Sequence, residues 1–320
     1  MSIAIEADEL VKVFKGGIRA VDGLSLEVEA GTVFGLLGPN GAGKTTVVRI
    51  LTTVFLPDSG KASVLGHDVV TDAEAVRANI GLAGQFAAVD ENLTGLENLR
   101  MIGQLTRLGR KSAIERAAEL LELFELADAA KRIAKTYSGG MRRRLDLAAA
   151  LLHKPAVLFL DEPTSGLDPY SRQALWGVIE ELVNEGTTVL LTTQYLEEAD
   201  RLAKVLAVVD HGKVIAHGTP GELKATLGST VIDLEMANND AASRVSQLLV
   251  EKTGKQARLV GASVELPLEH GPSQVRELLE MMEAADLMPH RLNLREPSLD
   301  DVFLTLTGHM AEEPQEGVSK

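Results

Sequence analysis

The sequence predicts an α/β chain. A mainly parallel core sheet follows an antiparallel β layer and carries an inserted helical subdomain, and a small α+β unit of order βαββαβ comes after it. Three observations predict this. Thr32-Val33-Phe34-Gly35-Leu36-Leu37 reads as a short buried strand and Val47-Val48-Arg49-Ile50-Leu51 as the opening of a helix, with a glycine-rich turn between them. Val157-Leu158-Phe159-Leu160 and Thr187-Thr188-Val189-Leu190-Leu191-Thr192-Thr193 are apolar runs of the kind that parallel strands form when both faces are covered. From about residue 90 to 152 apolar residues recur at three- and four-residue steps and strand signals stop.

The glycine-rich turn is Gly38-Pro39-Asn40-Gly41-Ala42-Gly43-Lys44-Thr45-Thr46. Strand, turn and helix in this order make a phosphate-binding P-loop, so the core reads as a P-loop NTPase. Glycines let backbone N–H groups turn inward around phosphate oxygens, and the helix N-terminus adds positive potential. Lys44 would reach the β- and γ-phosphates, and the Thr45 hydroxyl would ligate Mg²⁺. No Asn-Lys-x-Asp guanine-reading element occurs, which argues against a GTPase.

Composition narrows the class. The chain has 320 residues, 45% apolar and 24% charged, which suits a globular protein of one large or two ordinary domains. Its net charge of −14 argues against nucleic acid as the main partner. There is no cysteine, so disulfides, thiolate metal sites and a cysteine nucleophile are excluded. The opening MSIAIEADEL lacks the pattern of a signal peptide, and no run of 18 apolar residues exists to span a bilayer. Any membrane association is therefore expected through a partner. The seven histidines are scattered, with no pair at metal-ligand spacing beside a carboxylate, so no zinc site is expected.

In chain order, residues 3–35 alternate apolar and polar in short runs, an antiparallel layer feeding the P-loop strand. Phe14 reads either as a core aromatic or as a base-stacking one. The P-loop helix is expected to run to about Phe55, where Leu56-Pro57-Asp58-Ser59-Gly60 stops it. Ser63-Val64-Leu65 and Ile80-Gly81-Leu82-Ala83 read as strands, with Gln85 just past the second. In the helical stretch Leu93, Leu96, Leu99 and Ile102 form one stripe and Ile114, Ala117, Ala118, Leu121 and Phe124 another. Near its end Ser138-Gly139-Gly140 precedes a helix expected from about Met141. Exposed N–H groups, a hydroxyl and a favourable dipole make this a second anion site, the alternative being an ordinary N-cap. The run Arg142-Arg143-Arg144 could contact a phosphate or pair with acids, but reads rather as a solvated helix face with one member committed.

The strand ending in Asp161-Glu162 should open on the site, Asp161 holding Mg²⁺ through water and Glu162 acting as general base or orienting group for the attacking water. Pro163-Thr164-Ser165-Gly166-Leu167-Asp168 turns into a helix from about 169 to 184, closed by Gly186. Gln194 ends the next strand. Its amide can donate to and accept from a γ-phosphate or water but cannot titrate, the alternative being a loop amide bonded to local backbone. A hairpin around Asp210-His211-Gly212 and a helix from Pro220 to Leu227 complete the first domain, expected to span 3–228. Residues 229–308 give strand, helix, hairpin around Gly261, helix, strand and a last short helix, the order of a small ferredoxin-like sandwich. The tail 309–320 is polar and expected to be disordered.

The P-loop, a glutamine after a core strand, a helical insert ending in Ser-Gly-Gly, and Leu160-Asp161-Glu162-Pro163-Thr164-Ser165-Gly166-Leu167-Asp168, in this order, resemble the ABC-transporter ATPases over about residues 3–228. The resemblance implies a homodimeric ATP sandwich in which the P-loop of one copy faces Ser138-Gly139-Gly140 of the other. It makes Phe14 the adenine-stacking aromatic, Gln85 the Mg²⁺ and transporter-contact glutamine, Glu162 the catalytic glutamate and Asp168 the residue coupling the two sites. Two positions depart from the family pattern: Met141 stands for the usual glutamine and Gln194 for the usual switch histidine, so Gln194 must substitute or turnover is slow. Tyr137-Ser138-Gly139-Gly140-Met141-Arg142-Arg143-Arg144-Leu145-Asp146, the segment 190–200 and the segment 298–308 resemble one subgroup, the daunorubicin/doxorubicin-resistance exporter ATP-binding proteins of actinobacteria. The resemblance then implies an ATP-hydrolysing exporter subunit at the cytoplasmic side of the cell membrane, working with a separate membrane-spanning permease. Hydrophobic compounds would be the cargo, and residues 229–308 would serve dimer contact or regulation.

Overall fold

The computed structural model describes residues 2–84, 89–228, 230–253, 257–268 and 272–307. Gln85, Gly308 and the tail 309–320 lie outside them. The chain divides into two compact units, one built on Met1–Thr219 and one on Pro220–Met310.

In the first unit β1 (Ile3–Phe14) and β2 (Ile18–Glu29) form a long antiparallel hairpin. With β4 (Ser59–Val64) and β5 (His67–Asp68) they make a four-stranded sheet of order β2-β1-β4-β5. The second sheet has six strands in the order β10-β9-β3-β8-β7-β6. Its members are β3 (Val33–Leu37), β6 (Ile80–Ala83), β7 (Val157–Asp161), β8 (Thr188–Thr193), β9 (Val205–Asp210) and β10 (Lys213–Gly218). All pair in parallel except the β9–β10 hairpin. Every residue of β3, β7 and β8 is buried, which is why their sequences run apolar without alternation. The hairpin turns through His211 and Gly212, both at positive φ, the conformation that two-residue hairpin loops require.

Helix α1 (Lys44–Leu51) leaves β3 through the P-loop and packs its apolar face into the core between the two sheets. It stops four residues before the expected Phe55. The Thr52 hydroxyl donates back to Val48 O at 2.8 Å, and Thr53 takes φ 64°, which no helix continues through. Two helices went unforeseen, α2 (Ala73–Asn79) and α7 (Leu196–Leu202). Each is seven residues long, too short for a periodic stripe to show.

The insert carries α3 (Gly95–Leu105), α4 (Arg110–Leu123) and α5 (Gly139–Ala150). Thr94 and Glu97 close a capping box at the start of α3. On α4 the expected stripe is rotated: Ala113, Ala117, Leu120 and Leu121 are buried, whereas Ile114 and Ala118 face outward. The cause is close approach. A Cβ on Gly103 of α3 would sit 2.7 Å from the Ala113 Cβ, so the contact face selects small residues rather than the larger Ile114. Helix α5 begins at Gly139, two residues before the expected Met141, with Ser138 as its N-cap. Helix α6 (Pro169–Asn184) has the expected bounds, Asp168 as N-cap and Gly186 at φ 100° just past its end.

The second unit opens with α8 (Pro220–Ala225), expected at the end of the first domain, which packs instead with α11 (Leu299–Thr307). Strands β11 (Thr230–Glu235), β12 (Arg258–Val260), β13 (Ser263–Leu268) and β14 (Arg291–Arg295) form an antiparallel sheet of order β12-β13-β11-β14. Helices α9 (Asn239–Thr253) and α10 (Pro272–Ala284) supply Val245, Leu249, Leu278 and Met282 to a core with Ile232, Leu234, Val264 and Leu266. The opposite face of the sheet carries charge. Arg295 donates to both oxygens of Asp301 at 2.6 and 3.0 Å and to Glu265 at 3.1 Å, and Ser298 caps the same Asp301 carboxylate.

Candidate functional site

The P-loop lies between the end of β3 and α1. Gly43 takes φ 108°, and a Cβ there would run into the Ala20 carbonyl oxygen, so no other residue fits this turn. Lys44 is buried, and its Nζ donates to Gly38 O at 2.7 Å and Pro39 O at 3.1 Å, so its ammonium lies inside the loop's curve. The same nitrogen is 3.6 Å from Glu162 Oε1.

Asp161 ends β7, beside β3 across β8, so the parallel register brings the carboxylate to the P-loop helix. The Thr45 hydroxyl donates to Asp161 Oδ1 at 3.1 Å, and the buried Thr192 hydroxyl donates to the same oxygen at 2.6 Å. A hydroxyl and a carboxylate this close are hard oxygen donors of the kind Mg²⁺ takes alongside phosphate oxygens and water. Glu162 follows at φ 50°, a left-handed conformation that costs a non-glycine residue about 1–2 kcal/mol. Its N–H is shared between Thr192 O at 3.1 Å and Thr192 Oγ1 at 3.0 Å. Backbone strain of this kind concentrates where a side chain must be aimed at a ligand.

Arg143 of α5 holds the other side of that turn. Its Nε donates to Pro163 O at 2.9 Å, its Nη2 to Asp161 O and Glu162 O at 3.0 Å each, and its Nη1 to Gly84 O at the end of β6. Burial lowers the guanidinium's pKa, and the charges of Asp146, Asp161, Glu198 and Glu162 oppose the shift. Arg142 and Arg144 make exposed pairs with Glu91 and Glu125. One arginine of the three is thus committed, as expected.

Gln194 lies just past β8. Its amide oxygen is buried and accepts no hydrogen bond among the described residues, so that oxygen is not tied to local backbone. Behind it, α7 presents Glu198, wholly buried, whose Oε1 accepts from Trp176 Nε1 of α6 at 3.1 Å. Burial pushes this carboxyl upward, against Thr193, Trp176, Thr164 and the charge of Arg172. The Trp176 ring also lies 5.0 Å from the Arg201 guanidinium. Asp168 accepts from Ser171 N and Oγ at 2.9 and 2.7 Å, bonds that hold its carboxyl below the usual range.

Phe14, at the end of β1, is about a third exposed and meets Phe55 edge-on at 5.6 Å, so it is not a core aromatic. Ser138 and Gly139 are exposed at the start of α5, and the Ser138 side chain accepts from Met141 N at 3.2 Å. The N-cap reading of this turn is therefore present, with Gly139 exposed and Gly140 half-buried beside it. Thr192 and Glu198 have no role in the sequence-based expectation of the site, and Arg143 is not distinguished there from its two neighbours. Thr192-Thr193, polar residues that end a strand with the apolar run Val189-Leu190-Leu191 at its centre, are the one signal available for Thr192.

The sequence model of the family described as "ABC transporter" matches residues 21–165. That of "ATP-binding protein DrrA1-3-like, C-terminal domain" matches residues 218–307. The chain is 50% identical to the daunorubicin/doxorubicin resistance ATP-binding protein DrrA of Streptomyces peucetius, over 97% of this chain and 94% of that one. It is 38% identical to the Nod factor export ATP-binding protein I of Rhizobium sp. (strain N33), over 97% and 99%. Among solved structures it resembles an ATP-binding subunit of an ABC transporter, with a TM-score of 0.64 and 26% identity over 70% of this chain and 92% of that one. An ABC-transporter cassette in its ADP conformation gives a TM-score of 0.62 and 27% identity over 69% and 93%. The P-loop, the Asp161–Glu162 turn beside it and both family matches agree: the chain is an ABC-transporter ATPase and belongs to the family of the daunorubicin/doxorubicin resistance ATP-binding proteins.

Proposed function

We propose that this chain powers an exporter of hydrophobic compounds, as an ATP-dependent homodimer bound to a membrane-spanning permease at the cytoplasmic side of the cell membrane. The observation that carries the reading is the convergence of Lys44, Thr45, Asp161 and Glu162 at one end of the six-stranded sheet. Backbone N–H groups of the P-loop and Lys44 would bind the phosphates, while Phe14 stacks on the adenine. Thr45 would ligate Mg²⁺ directly, with Asp161 acting through water and Gln85 from its own segment. Glu162 takes the proton of the attacking water, and the Gln194 amide orients that water or the γ-phosphate without titrating. Ser138, Gly139 and Gly140 would complete the site of the twin molecule. The names of the relatives, resistance to daunorubicin and doxorubicin and export of Nod factor, support an exporter. Among the described residues no helix is long and apolar enough to cross a membrane, in keeping with a separate permease. The unit that opens at Pro220 would form a dimer-contact or regulatory domain after the ATPase domain.

The test is Glu162→Gln in the full chain. Turnover should fall by about 10²-fold or more while ATP binding persists. Size-exclusion chromatography should show the variant dimeric with ATP and monomeric without it. Undiminished turnover, or a monomer at saturating ATP, overturns the reading.

A further inference from the structure

Three consecutive carbonyls, Asp161, Glu162 and Pro163, accept from one guanidinium. Along a regular strand successive carbonyls point to opposite sides. Here the left-handed turn at Glu162 gathers them on one side, and Arg143 fills the concavity so formed. Its fourth bond goes to Gly84, at the end of a different strand. Four of the five N–H donors of the guanidinium are thereby used on main-chain oxygens of the site, and none of them on a side chain that could rotate away. Asp146, one turn along α5, lies 3.6 Å from Nη1 and offsets the buried charge.

We infer that Arg143 is a positioning residue, one that fastens the strained Asp161–Pro163 turn and the end of β6 to the helix that Ser138 caps, and so sets where the Glu162 carboxylate points. The inference rests on the function proposed above. In that reading Ser138 serves the twin's nucleotide while Glu162 serves its own chain's nucleotide. Arg143 is then the rigid link, within one chain, between its contributions to the two sites. Lysine cannot replace it, because an ammonium presents its donors from a single point and cannot span four oxygens. Arg142 and Arg144, one residue away on either side, make only exposed or peripheral contacts and supply the contrast.

The experiment compares Arg143→Lys, Arg143→Gln and the control Arg142→Gln in the full chain. Both Arg143 variants should lose about ten-fold or more in kcat, the size of effect typical when an orienting partner is lost. Their KM for ATP and affinity for a fluorescent non-hydrolysable ATP analogue should stay within about two-fold, since the P-loop is untouched. Amide hydrogen exchange should accelerate at residues 162–165 and remain as in the wild type along β3. Arg142→Gln should match the wild type in every measurement. A kcat for Arg143→Lys within about two-fold of the wild type overturns the inference, as does a loss of analogue affinity equal to the loss of kcat. If Arg143→Gln does not fold, Arg143→Lys carries the same readouts, and failure of both to melt cooperatively would make the residue purely structural and also overturn the inference. Glu162→Gln run in parallel separates the two questions. If it leaves turnover intact, the proposed function falls whatever the arginine variants do.

Discussion

Replacing Thr192 by valine keeps the shape of a fully buried side chain and removes one hydroxyl. That hydroxyl donates to Asp161 Oδ1 at 2.6 Å and accepts from Glu162 N at 3.0 Å. A buried hydrogen bond to a charged group contributes about 1.5–3 kcal/mol. The Glu162 N–H keeps its second acceptor, Thr192 O at 3.1 Å, so its loss adds only a few tenths. The expected destabilisation is about 2 kcal/mol, or roughly 4–8 °C in melting temperature for a unit of this size. Asp161 would retain Thr45 as its remaining hydroxyl partner and swing more freely. The Mg²⁺ concentration for half-maximal ATP turnover should then rise about ten-fold or more. Thermal melts followed by circular dichroism and a Mg²⁺ titration of ATPase activity measure the two effects, and Thr192→Ser should restore both. If Thr192→Val melts within about 1 °C of the wild type and its Mg²⁺ dependence is unchanged, Thr192 does not position Asp161.

Gly43→Ala should abolish binding of a fluorescent ATP analogue, because the added Cβ meets the Ala20 carbonyl at a φ of 108°; binding within about ten-fold of the wild type would show that the loop yields. Glu198 has a folded pKa raised above the ordinary 4.5, so its contribution is fully present below pH 4.5 and is lost as pH rises through the folded value. Glu198→Gln should therefore gain stability relative to the wild type as pH rises above 4.5 in urea denaturation, and an identical pH slope in the two proteins would refute the assignment. Asp301 has a lowered pKa: burial pushes it up, but Arg295 and Ser298 together outweigh that. Its contribution is present above pH 3.8 and is lost as pH falls through the lower folded value, so Asp301→Asn should weaken the second unit at pH 7 by about 1–3 kcal/mol and by progressively less in acid, as urea denaturation at several pH values would report.

What the sequence made legible follows from what its signals encode. The P-loop could be read because glycines at fixed spacing, a lysine and a hydroxyl form a local pattern. The buried strands could be read because residues covered on both faces leave continuous apolar runs. Asp161 and Glu162 stood out as carboxylates ending such a run. Arg143 could not be singled out among three arginines. Its role depends on β6 and β7 reaching the side of α5 that it faces, contacts separated by 59 and by 18–20 residues in the chain. Glu198 was hidden for a similar reason, since its partner Trp176 lies 22 residues away on another helix. The rotated stripe of α4 was misread because hydrophobicity marks large residues, whereas the contact with Gly103 needs small ones. Gln85 remains an expectation from its position after β6.

The indole of Trp176 is the single tryptophan of the chain, and all three tyrosines (137, 170 and 195) lie in the same unit as it does. Intrinsic emission is therefore blind to the C-terminal unit. A denaturation curve recorded by fluorescence and one recorded by circular dichroism need not coincide. A mismatch between them would reflect where the fluorophore sits, and would not by itself demonstrate a partly folded intermediate of the ATPase unit.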